Sequence, residues 1–177
     1  MGKFDTTTIG LSTRPLVLTD ATNVGLGYWT HQVQGNVTWY PNPNRFTAIT
    51  NTITIEFNGQ QRDTHITNGD FVTWNWGASQ YIPVDKQFHY IAEFGVTGYG
   101  QWQVTDSSGP NIANPNFHDK VHGAGLQAGI INTRLGLQLN FRFLGEFAAA
   151  NRFRGTSYGL NLGYTIKKPK PAAAPAP

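Results

Sequence analysis

Residues 135–147 read Leu-Gly-Leu-Gln-Leu-Asn-Phe-Arg-Phe-Leu-Gly-Glu-Phe, and the register of that stretch decides the fold. Leu135, Leu137, Leu139, Phe141, Phe143 and Phe147 hold odd positions, while Gln138, Asn140, Arg142 and Glu146 hold even ones. Side chains of a strand alternate between its two faces, so this period of two predicts a β-strand with one apolar and one polar side.

The same alternation recurs along the chain. Over 28–40, Trp29, Val33, Val37 and Trp39 oppose Thr30, Gln32, Gln34, Asn36 and Thr38. Over 45–57, Ile49, Ile53, Ile55 and Phe57 oppose Thr50, Thr52, Thr54 and Glu56, with Asn51 as the lapse. Over 71–82, Val72, Trp74, Trp76, Ala78 and Ile82 face away from Thr73, Asn75, Gly77 and Ser79. Residues 88–104 set Phe88, Tyr90, Ala92, Phe94, Val96 and Trp102 against His89, Glu93, Thr97, Gln101 and Gln103. The stretch 121–131 is weaker, with Ala124, Leu126, Ala128 and Ile130 opposite Gly123, Gly125, Gln127 and Gly129. Finally, over 156–166, Tyr158, Leu160, Leu162, Tyr164 and Ile166 oppose Ser157, Gly159, Asn161, Gly163 and Thr165. Seven strands are predicted, and helical periodicity is absent.

Their connections alternate in length: short at 41–44, 83–87 and 132–134, long and polar at 58–70 and 105–120, and intermediate at 148–155. Short turns on one rim and long loops on the other are the pattern of an outer-membrane barrel. With the long loops extracellular, residues 1–24 are expected as a loop segment, 25–166 as the strands and 167–177 as an extended Lys/Pro/Ala-rich tail. An odd strand count implies that this chain supplies part of a larger barrel. The alternative is an eighth strand over 9–19, which Arg14-Pro15 interrupts.

Bulk composition narrows the environment. The 177 residues contain 13% charged and 13% aromatic residues, 20 Gly, five Trp and six Lys, with a mean hydropathy of −0.35. No apolar run reaches the ~18 residues of a membrane-spanning helix, so a closed sheet is the remaining way to satisfy the backbone inside lipid. The net charge of +3 comes largely from Lys167, Lys168 and Lys170, so the folded part offers no basic face for nucleic acid. The chain has no cysteine, and no apolar stretch following Met1-Gly2-Lys3-Phe4 reads as a signal peptide; a start outside this sequence is expected.

A face bathed by solvent would be rich in Lys and Glu. The polar positions here are instead Thr, Asn, Gln, Ser and Gly with the occasional Glu56, Glu93, Arg142 and Glu146, and no lysine falls within the seven strands. That suits a wet interior. Aromatic residues gather towards the strand ends, Trp39, Phe88, Tyr90 and Tyr164 at one rim and Phe57, Trp74, Trp102, Phe147 and Tyr158 at the other, as in the girdles of a membrane barrel. The competing reading is a soluble barrel with those aromatics inside.

Catalytic and metal motifs are weak. His118-Asp119-x-x-His122 has helical ligand spacing but straddles a loop and a strand start. Asp63, His65 and Asp70 read as solvation of a loop, Ser79, Ser107, Ser108 and Ser157 lie in no nucleophile elbow, and no helix follows the glycines of 95–100. Glu93, Arg142 and Glu146 are either pore-lining charges or structural ion pairs.

Several ordered motifs carry a family resemblance: Val-Gly-Leu-Gly-Tyr-Trp-Thr-His-Gln-Val-Gln from Val24, Trp39-Tyr-Pro, Arg-Asp-Thr-His-Ile-Thr-Asn-Gly-Asp from Arg62, Asn-Trp-Gly-Ala-Ser-Gln-Tyr-Ile-Pro from Asn75, Gly-Tyr-Gly-Gln-Trp-Gln-Val-Thr-Asp from Gly98 and Phe-Ala-Ala-Ala-Asn-Arg-Phe from Phe147. Over roughly residues 22–166 the chain resembles the outer-membrane family of meta-pathway phenol-degradation proteins. The resemblance implies a porin-like or transporter-like barrel, tied in some members to uptake of aromatic or hydrophobic compounds, with no enzymatic activity. His65 stands where the loop motif is expected to have Asp, and the family's N-terminal strands do not precede Gly2. Ser157-x-Gly159-x-x-Leu162-x-Tyr164 is similar to the assembly signal of outer-membrane barrels.

The expected fold is all-β, an antiparallel up-and-down transmembrane barrel with seven or eight strands in this chain. The expected function is a bacterial outer-membrane channel for passive passage of small compounds, without cofactor, metal or catalytic residue. Its lumen would be lined by Gln32, Gln34, Glu56, Glu93, Gln101, Gln127, Asn140, Arg142 and Glu146. Its partners would be outer-membrane lipid and a small-molecule permeant, with assembly onto a missing N-terminal portion or other chains; nucleic acid is excluded. A soluble module for a hydrophobic ligand and a β-fragment that assembles with other chains are the alternatives.

Overall fold

A computed structural model describes residues 3–15 and 27–165, apart from 111 and 113. It is all-β: β1 (Lys3–Pro15), β2 (Trp29–Tyr40), β3 (Thr47–Asn58), β4 (Phe71–Pro83), β5 (Tyr90–Gln103), β6 (Lys120–Asn132), β7 (Leu137–Ala150) and β8 (Thr156–Tyr164). The eight form one sheet in sequential order, every neighbouring pair antiparallel. Such an up-and-down meander satisfies the backbone of each interior strand from both sides. Among the described residues β8 pairs with β7 alone and β1 with β2 alone, so the sheet is an open trough. The tail 167–177 lies outside the described residues.

The seven alternating segments appear as β2 to β8 within three residues of their expected ends. The eighth strand is β1, which lies within the segment 1–24 expected as a loop and begins earlier than the alternative strand at 9–19. Its ladder shifts register between Asp5 and Thr8, and this bulge across Thr6-Thr7 breaks the period of two that would have betrayed the strand. Pro15 is tolerated because it is the last residue of β1, opposite Trp29.

The three short turns share one device. Arg45 N–H donates to Asn42 O at 3.0 Å and Phe88 N–H to Asp85 O at 3.1 Å, after which Arg45 and Phe88 turn left-handed at φ 58° each. Gly136, φ 70°, serves the third turn. Asp85 Oδ1 accepts the Tyr90 N–H at 2.8 Å and Oδ2 the His89 N–H at 3.1 Å. On the opposite rim the loops interlock: Gly59 N–H donates to Trp29 O, Thr67 and Ser108 exchange backbone hydrogen bonds, and Asn151 Nδ2 donates to His118 O.

The sheet curls towards its polar side. Neighbouring strands sit about 4.8 Å apart, so residues two strands apart can touch only where the sheet is concave or the side chain between them is missing. Both conditions hold. Tyr99 and Glu146 pair with opposite edges of Gly123, and the Tyr99 hydroxyl crosses that glycine to donate to the Glu146 carboxylate. Glu93 and Asn140 flank Gly129 and meet above it at 3.3 Å. Ser79 and Gln127 flank Gly95 and meet at 2.6 Å.

A Cβ at Gly123 would lie 2.6 Å from the Tyr99 ring, whereas one at Gly145 would meet nothing within 4 Å. Gly123→Val should therefore lower stability by about 1–3 kcal/mol through overpacking, while Gly145→Val stays within about 0.5 kcal/mol. Denaturant unfolding followed by tryptophan fluorescence measures both; equal costs would disprove the glycine-spaced crossing. The turn at Asp85 makes a second prediction. The N–H groups of Tyr90 and His89, with the His89 ring, hold its carboxyl below the ordinary 3.8. This stabilisation is complete above that ordinary value and disappears as pH falls through the lowered folded value. Amide exchange at His89 and Tyr90 should accelerate there, and Asp85→Ala should remove the pH dependence.

Candidate functional site: the polar trough

Exposure separates the two faces in the reverse of a soluble protein's order. Along β5, Glu93 is 4% and Thr97 6% exposed, while Phe94 and Val96 between them are 55% and 46% exposed. Large apolar side chains cover the outer face of β7 as well, Leu139, Phe141 and Phe143 among them. Ala48 and Val121 are the buried hydrophobic residues among those described. The aromatic side is convex and outward, which is opposite to what a soluble module with an aromatic interior requires. Asn51, the lapse in alternation, lies on this outer face and accepts the Trp74 indole N–H at 3.2 Å, so neither polar atom is left unpaired.

The concave face encloses a cavity of about 400 Å³. It is walled by Gln34 and Asn36 from β2, Thr50, Thr52 and Thr54 from β3, Asn75, Ser79 and Tyr81 from β4, Glu93 and Thr97 from β5, Gln127 from β6 and Arg142 from β7. At its floor the Glu93 carboxylate collects neutral donors: Ser79 Oγ at 2.9 Å and Gln127 Nε2 at 2.8 Å on Oε1, and Asn140 Nδ2 at 3.3 Å on Oε2. Arg142 Nη2 donates to Gln127 Oε1 at 3.2 Å, so the guanidinium reaches the acid only through that amide. Asn36 Oδ1 is buried without a partner among the described residues.

A second cluster stands nearer the long-loop rim. Glu146 accepts from Tyr99 and, at 2.6 Å, from Gly155 N–H, with Arg152 Nη2 at 3.7 Å. Arg152 Nη1 also donates to Gln101 Oε1 at 2.8 Å, which folds the 151–155 connection over the trough onto β5. Gln101 in turn donates to Thr73 Oγ1 at 3.2 Å, and Gln32 donates to Glu56 at 3.3 Å between β2 and β3.

All nine expected lumen residues thus stand on the concave face: Gln34, Glu93, Gln127 and Arg142 on the cavity wall, the rest bonded across it or along its ladders. Glu93, Arg142 and Glu146 differ in kind: Glu146 belongs to an ion pair, whereas Glu93 and Arg142 have no oppositely charged partner among the described residues. Ser79, Tyr99 and Arg152 were not anticipated as parts of the site. The parity of Ser79 and Tyr99 could have revealed them, but Arg152 comes from a loop, where parity is uninformative. His118 Nε2 binds Asp106 Oδ1 at 2.7 Å, while His122 faces outward against Trp102 and Phe147, so the spaced histidines do not converge.

Because Glu93 is buried among donors, Glu93→Leu should cost about 2–4 kcal/mol by leaving Ser79, Gln127 and Asn140 unpaired, and Glu93→Gln, which keeps one acceptor, distinctly less. Unfolding midpoints decide this; equal losses would mean that the carboxylate is held by packing alone.

A sequence model of the protein family described as "Putative MetA-pathway of phenol degradation" matches residues 16–162. No curated protein and no solved structure matches the chain.

Proposed function

The chain belongs to this MetA-pathway phenol-degradation family, and we propose that it acts there as a β-barrel channel of the bacterial outer membrane that lets small molecules pass passively. The inverted burial carries the reading: an apolar convex face with a polar concave one suits lipid outside and water inside. Strands of 12–14 residues in β2 to β7 exceed the ~9–11 needed to cross a bilayer at a tilt.

The permeants that fit the trough are small and carry a hydroxyl or amide, phenolic compounds included. The Thr, Asn and Gln wall offers replacements for their hydration, and Glu93 and Arg142 set the field along the path. None of these side chains makes or breaks a bond. In lipid the free edges of β1 and β8 would be costly, so function requires that they be closed, by each other or by strands of another chain. The β-fragment reading is therefore a statement about how the barrel closes.

Size exclusion and circular dichroism with and without micelles test the proposal. A β-rich fold that forms only in detergent, with conductance steps in planar bilayers, is the expected outcome; a β-rich monomer in detergent-free buffer would overturn it. Arg142→Glu should shift the reversal potential towards cation preference by a factor of a few, whereas Arg134→Glu, in a short turn, should leave it unchanged.

A further inference from the structure

On the outer face at the long-loop rim, a hollow of about 420 Å³ is bordered by Lys120, His122, Phe147, Ala148, Ala149 and Arg154, and no acidic side chain lines it. A break in register creates it. The β6–β7 ladder shifts between His122 and Gly123: Gly123 pairs with Glu146 and His122 with Ala148, so Phe147 is the extra residue. The bulge leaves Phe147 63% exposed and sets two alanines where larger side chains would fill the space.

The chemistry around the hollow is divided by height. Trp102 meets the His122 ring edge-on at 5.2 Å, and Phe147 stacks on its other side at 6.3 Å. Beyond them along β6 and β7, Leu126, Phe143 and Phe141 continue the apolar outer face. Lys120 begins β6 at the loop end, and Arg154 comes down from the 151–155 connection. Neither cation makes a hydrogen bond or ion pair among the described residues. The nearby Glu146 carboxylate is turned to the concave side by Tyr99 and Gly155. Next to Arg154, Phe153 is 96% exposed.

We propose that this hollow binds the phosphate of a membrane lipid headgroup between Lys120 and Arg154, with the lipid's acyl chains lying over Phe147, Phe143 and Leu126. The inference rests on the outer face being the lipid-facing one. Two unpaired cations above an aromatic band match an anionic group held above hydrocarbon, and free phosphate has no use for the apolar strip below.

The test uses the full chain, folded in neutral-detergent micelles, with binding counted by native mass spectrometry. Phosphatidic acid should bind about thirtyfold tighter than diacylglycerol with the same chains, the factor that two basic side chains beside an anionic lipid supply. The Lys120→Ala/Arg154→Ala pair should bring the two lipids within about twofold, whereas Lys86→Ala/Arg134→Ala at the opposite rim should change nothing. Equal binding of both lipids, an unaffected double variant, or displacement by stoichiometric inorganic phosphate would each overturn the site. Circular dichroism verifies that each variant is folded. A chain that is β-rich and monomeric without detergent removes the membrane reading itself, a result distinct from a folded, micelle-bound protein that ignores the phosphate.

Discussion

A carboxylate withdrawn from water must be given hydrogen-bond donors, and Glu93 draws its donors from β4, β6 and β7 at once. That requirement organises the trough. Asn140 reaches the acid across Gly129, and Gln127 reaches Ser79 across Gly95, so the bonds form only while the sheet is curled enough to bring alternate strands together. Flattening the sheet would strand a charge, and filling the glycines would push the donors away. Curvature, glycine placement and the polar network are one constraint seen three ways.

This explains which parts of the fold were legible in sequence. Alternation survives wherever both faces carry side chains, so β7 is plain from Leu137, Leu139, Phe141 and Phe143 against Asn140 and Arg142. It fades in β6 because Gly123 and Gly129 are the spaces over which β5 and β7 meet. What weakens β6 as a pattern is therefore what makes it the middle of the network. It fails in β1, where a bulge at Thr6-Thr7 changes the phase within one strand. Periodicity detects uniform strands, and bulges and glycine gaps are encoded as departures from it.

The site divides along the same line. Parity puts all nine expected residues on the polar faces of their strands, since a strand's phase fixes the face of every residue on it; that this face is the concave one comes from the curl of the sheet. Parity cannot say which charges meet. Glu146 is paired because the 151–155 connection delivers Arg152, whereas Arg142, two turns of the pleat away on the same strand, finds an amide. Loop geometry decides between ion pair and free charge, and no period of two runs through a loop.

Under the proposed channel reading, the two faces bear on what can pass. A solute crossing along the concave side meets hydroxyls, amides, Glu93 and Arg142, and must exchange water for those groups. A purely hydrophobic compound would find little beyond Ala48 and the Tyr81 ring on that path, because the large exposed apolar side chains point outward. A phenol would differ, since its hydroxyl can be held by an amide or carboxylate of that wall while its ring passes Tyr81 and the threonines of β3. Aromatic compounds that carry a polar handle are the class such a lumen would suit.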